Sequence, residues 1–216
     1  MKNIKISLFG SSIVEGTLGA SAPEKRWYNI LHNKLSNRFP SINFPIYNGG
    51  EGGKSTRELM AFYKKSVLDF NPDYLLLMPG WNNKDLNRPE RIVEIDEFRD
   101  LTVKMIDSLP ATSRTILILM QPCKSEWHFC HSQEIYQDAF KKAGVPGLDE
   151  LSEPYRVAVR ELANERNLPM IDLFSLMQNE VEQCILRGDG IHLTDYGHKL
   201  FAQAAFEELE RHIADS

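Results

Sequence analysis

The chain has 216 residues, 42% hydrophobic and 25% charged, which is ordinary globular usage and enough chain to bury a core without disulfides or metal. Disorder, collagen-like repeats and small disulfide scaffolds are excluded on that basis. Twenty-five Lys and Arg against 30 Asp and Glu leave a net charge of −5 with no long basic run, so nucleic acid and anionic membranes are poor partners.

In chain order, Ile4, Ile6, Leu8 and Phe9 predict a first strand that ends at Gly10, not a signal peptide. Trp27, Ile30, Leu31 and Leu35 share one face of a helix. Residues 44–47 read as a short second strand, stopped by Asn48-Gly49-Gly50. Ser55 or Thr56 caps a helix whose apolar side carries Leu59, Met60, Phe62, Tyr63 and Val67. Residues 74–78 and 116–120 are continuous apolar runs, the pattern of strands covered on both faces of a parallel sheet. Helices are expected over 90–108 and 153–167, a last strand near Met170 to Leu173, and a final helix with Leu200, Phe201, Ala204, Ala205 and Leu209 on one side. Strand and helix alternate about five times, which argues for an open α/β sheet in one domain, 1–216. Residues 121–147 form the one irregular stretch, and connections of that length are often functional.

No run approaches the ~18 consecutive apolar residues of a membrane span. Cys123, Cys130 and Cys184 are odd in number and cannot all pair within the chain. Free thiols in a reducing cytosol are the simplest account, so a cytoplasmic location is expected.

Ligands of such a sheet bind beyond the carboxyl ends of the strands. The residues there are Gly10-Ser11-Ser12-Ile13-Val14-Glu15-Gly16, Asn48-Gly49-Gly50-Glu51-Gly52-Gly53, Gly80-Trp81-Asn82-Asn83 and Asp189-Gly190-Ile191-His192. A hydroxyl, an imidazole and a carboxylate make a nucleophile, a general base and an orienting group. A glycine N–H and an Asn amide can donate to a developing oxyanion. Gly53-Lys54-Ser55 does not make a phosphate loop, because Asn48 stands where the first glycine of that motif is required.

Together these stretches resemble the SGNH (GDSL-type) hydrolases over nearly the whole chain. The first is similar to the family block Gly-Asp-Ser-(Ile/Leu)-x-x-Gly, the third to Gly-x-Asn-Asp, and the last to Asp-x-x-His. The resemblance implies an α/β, flavodoxin-like three-layer α/β/α sandwich with a five-stranded parallel sheet in the order 2-1-3-4-5. It implies Ser12 as nucleophile, His192 as base and Asp189 as its orienting carboxylate. The oxyanion donors would be the N–H groups of Ser12 and Gly53 and the Asn82 amide, with Gly50 as the competing alignment for the glycine. No cofactor and no metal are implied. Ser11 and Asn83 depart from the pattern, since the family usually has Asp at both. Ser and Asn still form local hydrogen bonds in turns, but two negative charges are lost, which favours anionic ligands.

Cys123, His128, Cys130 and His131 lack the paired spacing of a zinc site. Trp127, His128 and Phe129 either line the acyl or sugar pocket or anchor their loop on the core. Trp81, beside Asn82, either caps the pocket or packs under the neighbouring loop. The expected activity is a serine esterase acting on small acyl esters, with a short acyl group on a sugar or similar polar alcohol favoured. A thioesterase, a lysophospholipase, an acyltransferase and a non-catalytic carbohydrate- or anion-binding module are the alternatives.

Overall fold

A computed structural model describes residues 2–214; Met1, Asp215 and Ser216 of the expected domain lie outside the described residues. Five parallel strands form the central sheet: β1 Ile6–Gly10, β2 Ile46–Gly50, β3 Tyr74–Leu77, β4 Arg114–Leu119 and β5 Met170–Asp172. Their spatial order is 2-1-3-4-5. Leu8 pairs with Asn48 on one side and Leu76 on the other, and Ile118 pairs with Ile171.

Alternation along the strands divides the core. Ile6, Leu8, Leu76, Ile116, Ile118 and Ile171 face α1 (Trp27–Arg38) and the last helix, Asp195–Ala214. Trp27 stacks on Phe201 there, with centroids 3.9 Å apart. Phe9, Leu75, Leu77, Leu117 and Leu119 face the other layer, α2 (Thr56–Tyr63), α3 (Ile95–Asp107) and the helix Glu153–Glu165. Each such fully buried side chain contributes about 1.5–3 kcal/mol of transfer free energy. The continuous apolar runs therefore have the cause expected of them, burial on both faces.

Three expectations need correction. The second strand runs through Asn48, Gly49 and Gly50 instead of stopping there. These glycines answer to packing: a Cβ on Gly49 would lie 2.6 Å from the Ser66 Cβ, and one on Gly50 would lie 2.1 Å from the Glu15 nitrogen. The helix expected over 90–108 is a 3₁₀ turn, Pro89–Arg91, followed by α3. Finally, 121–147 is not irregular throughout. It holds two 3₁₀ turns, Ser125–Trp127 and Phe129–Ser132, and the helix α4 (Glu134–Ala143), with α5 (Glu153–Glu165) and α6 (Asp195–Ala214) following. Tyr136 and Phe140 of α4 join Cys123, Cys130 and Leu148 in a third, small core.

Ser55, not Thr56, caps α2. Its hydroxyl accepts from the Glu58 N–H while Glu58 Oε2 accepts from the Ser55 N–H at 2.8 Å, a reciprocal capping box.

Candidate active site

β1 delivers Ser12 to the carboxyl edge of the sheet, at the start of a single helical turn, Ser12–Glu15. The turn closes on Gly16, which adopts φ 65° and donates to the Ser12 carbonyl. Gly10 must be small, since a Cβ would meet Val14 Cγ2 at 2.6 Å and the Met78 carbonyl at 2.7 Å. Side chains from elsewhere secure the turn. Asn48 Nδ2 donates to the carbonyls of Val14 (3.1 Å) and Glu15 (3.2 Å), and Trp27 Nε1 donates to Val14 (3.1 Å).

His192 comes from the turn before α6. Its Nε2 lies 2.9 Å from Ser12 Oγ, and its Nδ1 lies 2.9 Å from both carboxylate oxygens of Asp189. Asp189 also accepts the backbone N–H groups of Ile191 (2.9 Å) and His192 (2.6 Å). Burial pushes its carboxyl pKa up, but the His192 side chain and these two amides outweigh that and hold it down at about 2. An ionised carboxylate only accepts, so His192 Nδ1 carries the proton. Nε2 is left to accept from the Ser12 hydroxyl.

The loop that begins at Gln121 clamps this turn. Lys124 N–H donates to the Gly190 carbonyl at 2.9 Å, and Gln121 Nε2 donates to Ile191 at 3.1 Å. Gly190 has φ 80°, and a Cβ on it would lie 2.6 Å from the Lys124 carbonyl and 2.8 Å from the His128 nitrogen. Neither Gln121 nor this use of Gly190 was visible as a local sequence signal.

Ser12, Gly53, Asn82, Asp189 and His192 line one cavity of about 820 Å³. Asn82 opens the turn Asn82–Lys84 and donates to the Lys54 carbonyl at 3.1 Å, which uses one of its two amide hydrogens. Gly53 has φ 68°, and its carbonyl accepts from Arg91, which also ion-pairs with Glu58 and Asp85. Gly50, the competing glycine, sits within β2 and donates its N–H to Asn48 Oδ1 at 2.9 Å. Gly52 also lines the wall: a Cβ there would be 3.9 Å from the Ser12 Cβ.

Trp81, His128 and Phe129 belong to the cavity wall. Burial lowers the His128 pKa, with the Asp189 carboxylate opposing and His192 reinforcing. Trp127 does not line the wall, contrary to one expectation. Its ring lies 5.9 Å from Lys124 Nζ and 5.8 Å from the Arg187 guanidinium, and these cations occupy it instead. Of the two departures from the family pattern, Asn83 is fully bonded: Oδ1 accepts from Thr56 N–H at 2.8 Å, and Nδ2 donates to Thr56 Oγ1 at 3.0 Å and Gly80 at 3.3 Å. The Ser11 hydroxyl, expected to bond locally, is buried without a partner.

Among the described residues no three His, Cys, Asp or Glu side chains gather as a metal would require. No helix there is long and apolar enough to cross a membrane.

The GDSL-like lipase/acylhydrolase family model matches residues 8–200. An acetylxylan esterase of Geobacillus stearothermophilus is 24% identical over 204 residues, covering 90% of this chain and 84% of that protein. A Bacillus subtilis protein described as an uncharacterized lipoprotein is 27% identical over 68% of this chain and 60% of its own length. In fold, the crystal structure of a lipase/acylhydrolase from Enterococcus faecalis superposes with a TM-score of 0.72 at 21% identity, covering 97% of this chain and 96% of that one. With the sheet order, these matches make the chain a member of the GDSL-like lipase/acylhydrolase family and a carboxylic ester hydrolase.

Proposed function

We propose that the chain folds as one domain, 1–216, and hydrolyses small acyl esters of a sugar or similar polar alcohol through Ser12, His192 and Asp189. The observation that carries this is the unbroken relay of 2.9 Å contacts from the Ser12 hydroxyl through His192 to Asp189. His192 takes the hydroxyl proton as Ser12 Oγ attacks the carbonyl carbon. Asp189 stays ionised and stabilises the imidazolium. The N–H groups of Ser12 and Gly53 and the free amide hydrogen of Asn82 receive the oxyanion. His192 then protonates the departing alcohol, and water, deprotonated by the same imidazole, releases the acyl group. The polar alcohol is supported by the polar side of the cavity, with Glu15, Thr17 and Asn87 in its wall, and by the name of the Geobacillus relative. His128, Phe129 and Trp81 contact the substrate. A cytoplasmic location is supported by three free, buried cysteines.

Ser12→Ala tests the assignment. Hydrolysis of p-nitrophenyl acetate falls by on the order of 10⁶ in kcat, and a fluorophosphonate probe labels the wild type but not the variant. Wild-type turnover no faster than buffer, with nothing labelled, ends the esterase assignment. His192→Ala lowers kcat by a similar factor, and a variant as fast as the wild type removes His192 as the base.

A further inference from the structure

Besides Ser152, three buried side chains line the cavity outside the Ser12–His192–Asp189 relay: Cys130, Tyr136 and Leu148, only 4%, 3% and 7% exposed. They belong to the third core, and Trp81 and Ile191 pack against that core. Trp81 immediately precedes Asn82, and Ile191 immediately precedes His192. The apolar floor thus shares one cavity with Ser12, Asn82 and His192, and two of its packing partners adjoin Asn82 and His192 in the chain.

The floor presents carbon and sulfur to the cavity because its polar atoms are already spoken for. The Tyr136 hydroxyl accepts from the Leu86 N–H at 3.1 Å and donates to the Lys84 carbonyl at 3.4 Å. Ser152, also in the wall, donates its hydroxyl to the Leu148 carbonyl at 2.8 Å. The Cys130 thiol is kept protonated by burial. A polar alcohol finds few free hydrogen-bonding groups on such a surface, whereas methylenes laid on it leave water.

We propose that this floor is an acyl slot for chains longer than the acetyl group in the relative's name, within a cavity of about 820 Å³. The slot rests on Ser12 being the nucleophile and Asn82 the oxyanion donor.

The experiment holds the leaving group constant and varies the acyl chain, comparing p-nitrophenyl acetate, butanoate, hexanoate and dodecanoate. Each methylene buried in the slot raises kcat/KM about fourfold, so butanoate exceeds acetate by about fifteenfold. Hexanoate matches or exceeds butanoate, and dodecanoate falls back. Leu148→Phe, which adds a ring to the floor, lowers the hexanoate-to-acetate ratio by about tenfold. Because that readout is a ratio, a general loss of folded protein does not imitate it. Acetate as the best wild-type substrate, with butanoate slower, overturns the slot while leaving the Ser12 esterase standing. So does a chain-length profile that Leu148→Phe leaves unchanged. No hydrolysis of any of the four esters by the wild type overturns both.

Discussion

Two turns at the carboxyl edge of the sheet present the proposed chemistry, and they are held in different ways. The turn after β1, which carries Ser12, is fastened through its backbone by several partners: Gly16 closing on Ser12, Asn48 on Val14 and Glu15, Trp27 on Val14 and Glu51 on Gly10. Its own buried side chain, Ser11, fastens nothing. The turn after β3, which carries Asn82, is held by its own side chains as well as its backbone: Asn82 donates to the Lys54 carbonyl, and the Asn83 carbonyl accepts from the Val93 N–H at 3.0 Å. Asn83 alone ties it to the first residue of α2 and to Gly80, with three hydrogen bonds from a group only 1% exposed. Two positions that look equivalent as departures from a family pattern thus carry unequal structural weight. What replaces an Asp matters less than whether anything nearby needs its hydrogen bonds.

The largest expected effect separates chemistry from support. Asn82→Ala lowers kcat by roughly 10²–10³, the usual consequence of removing an oxyanion donor, while costing about 1 kcal/mol in stability for its bond to Lys54. Next comes Asn83→Ala, which strands the buried Thr56 N–H and destabilises the fold by about 2–3 kcal/mol in urea unfolding. A loss below about 0.5 kcal/mol breaks the contrast between the turns.

Acid sharpens it on the β3 side. Burial raises the Glu58 pKa, but Arg91 and Ser55 outweigh that and bring it to about 2 from 4.5. A depressed folded pKa means stability that is present above about pH 4.5 and lost as the pH falls through about 2. Glu58→Gln therefore shows a smaller drop in Tm than the wild type between about pH 5 and pH 3. The smallest effect belongs to Ser11→Ala, which stays within about 0.5 kcal/mol of wild type because the hydroxyl has no bond to lose. A large loss there reveals a partner for Ser11 and removes the asymmetry.

Much of this architecture was readable from residue order. Leu75, Leu76 and Leu77 announce a strand buried on both faces, and Ser12, Asn82, Asp189 and His192 stand where strand ends place ligand-binding groups. Glycine misled in β2, because Gly49 and Gly50 look like a turn and are instead sites where another backbone or side chain presses close. The clamp of Gln121 and Lys124 on the Gly190 turn was illegible, since it joins segments far apart in the chain through one side-chain bond and one backbone bond. Trp127 and His128 are neighbours, yet only His128 lines the cavity. In a nonrepetitive loop no periodicity tells which of two adjacent side chains faces inward. The same absence of period hid Cys130 and Leu148 as parts of the cavity wall.

Ser12 and His192 are separated by 180 positions along the polypeptide. Their contact closes almost the entire chain into a ring, so loop-closure entropy disfavours it until the sheet between them has assembled. Until then the serine is an ordinary alcohol with no base beside it. On the proposed assignment of Ser12 and His192, a nascent or half-folded molecule is inert toward esters, and reactivity switches on with the native state as a whole.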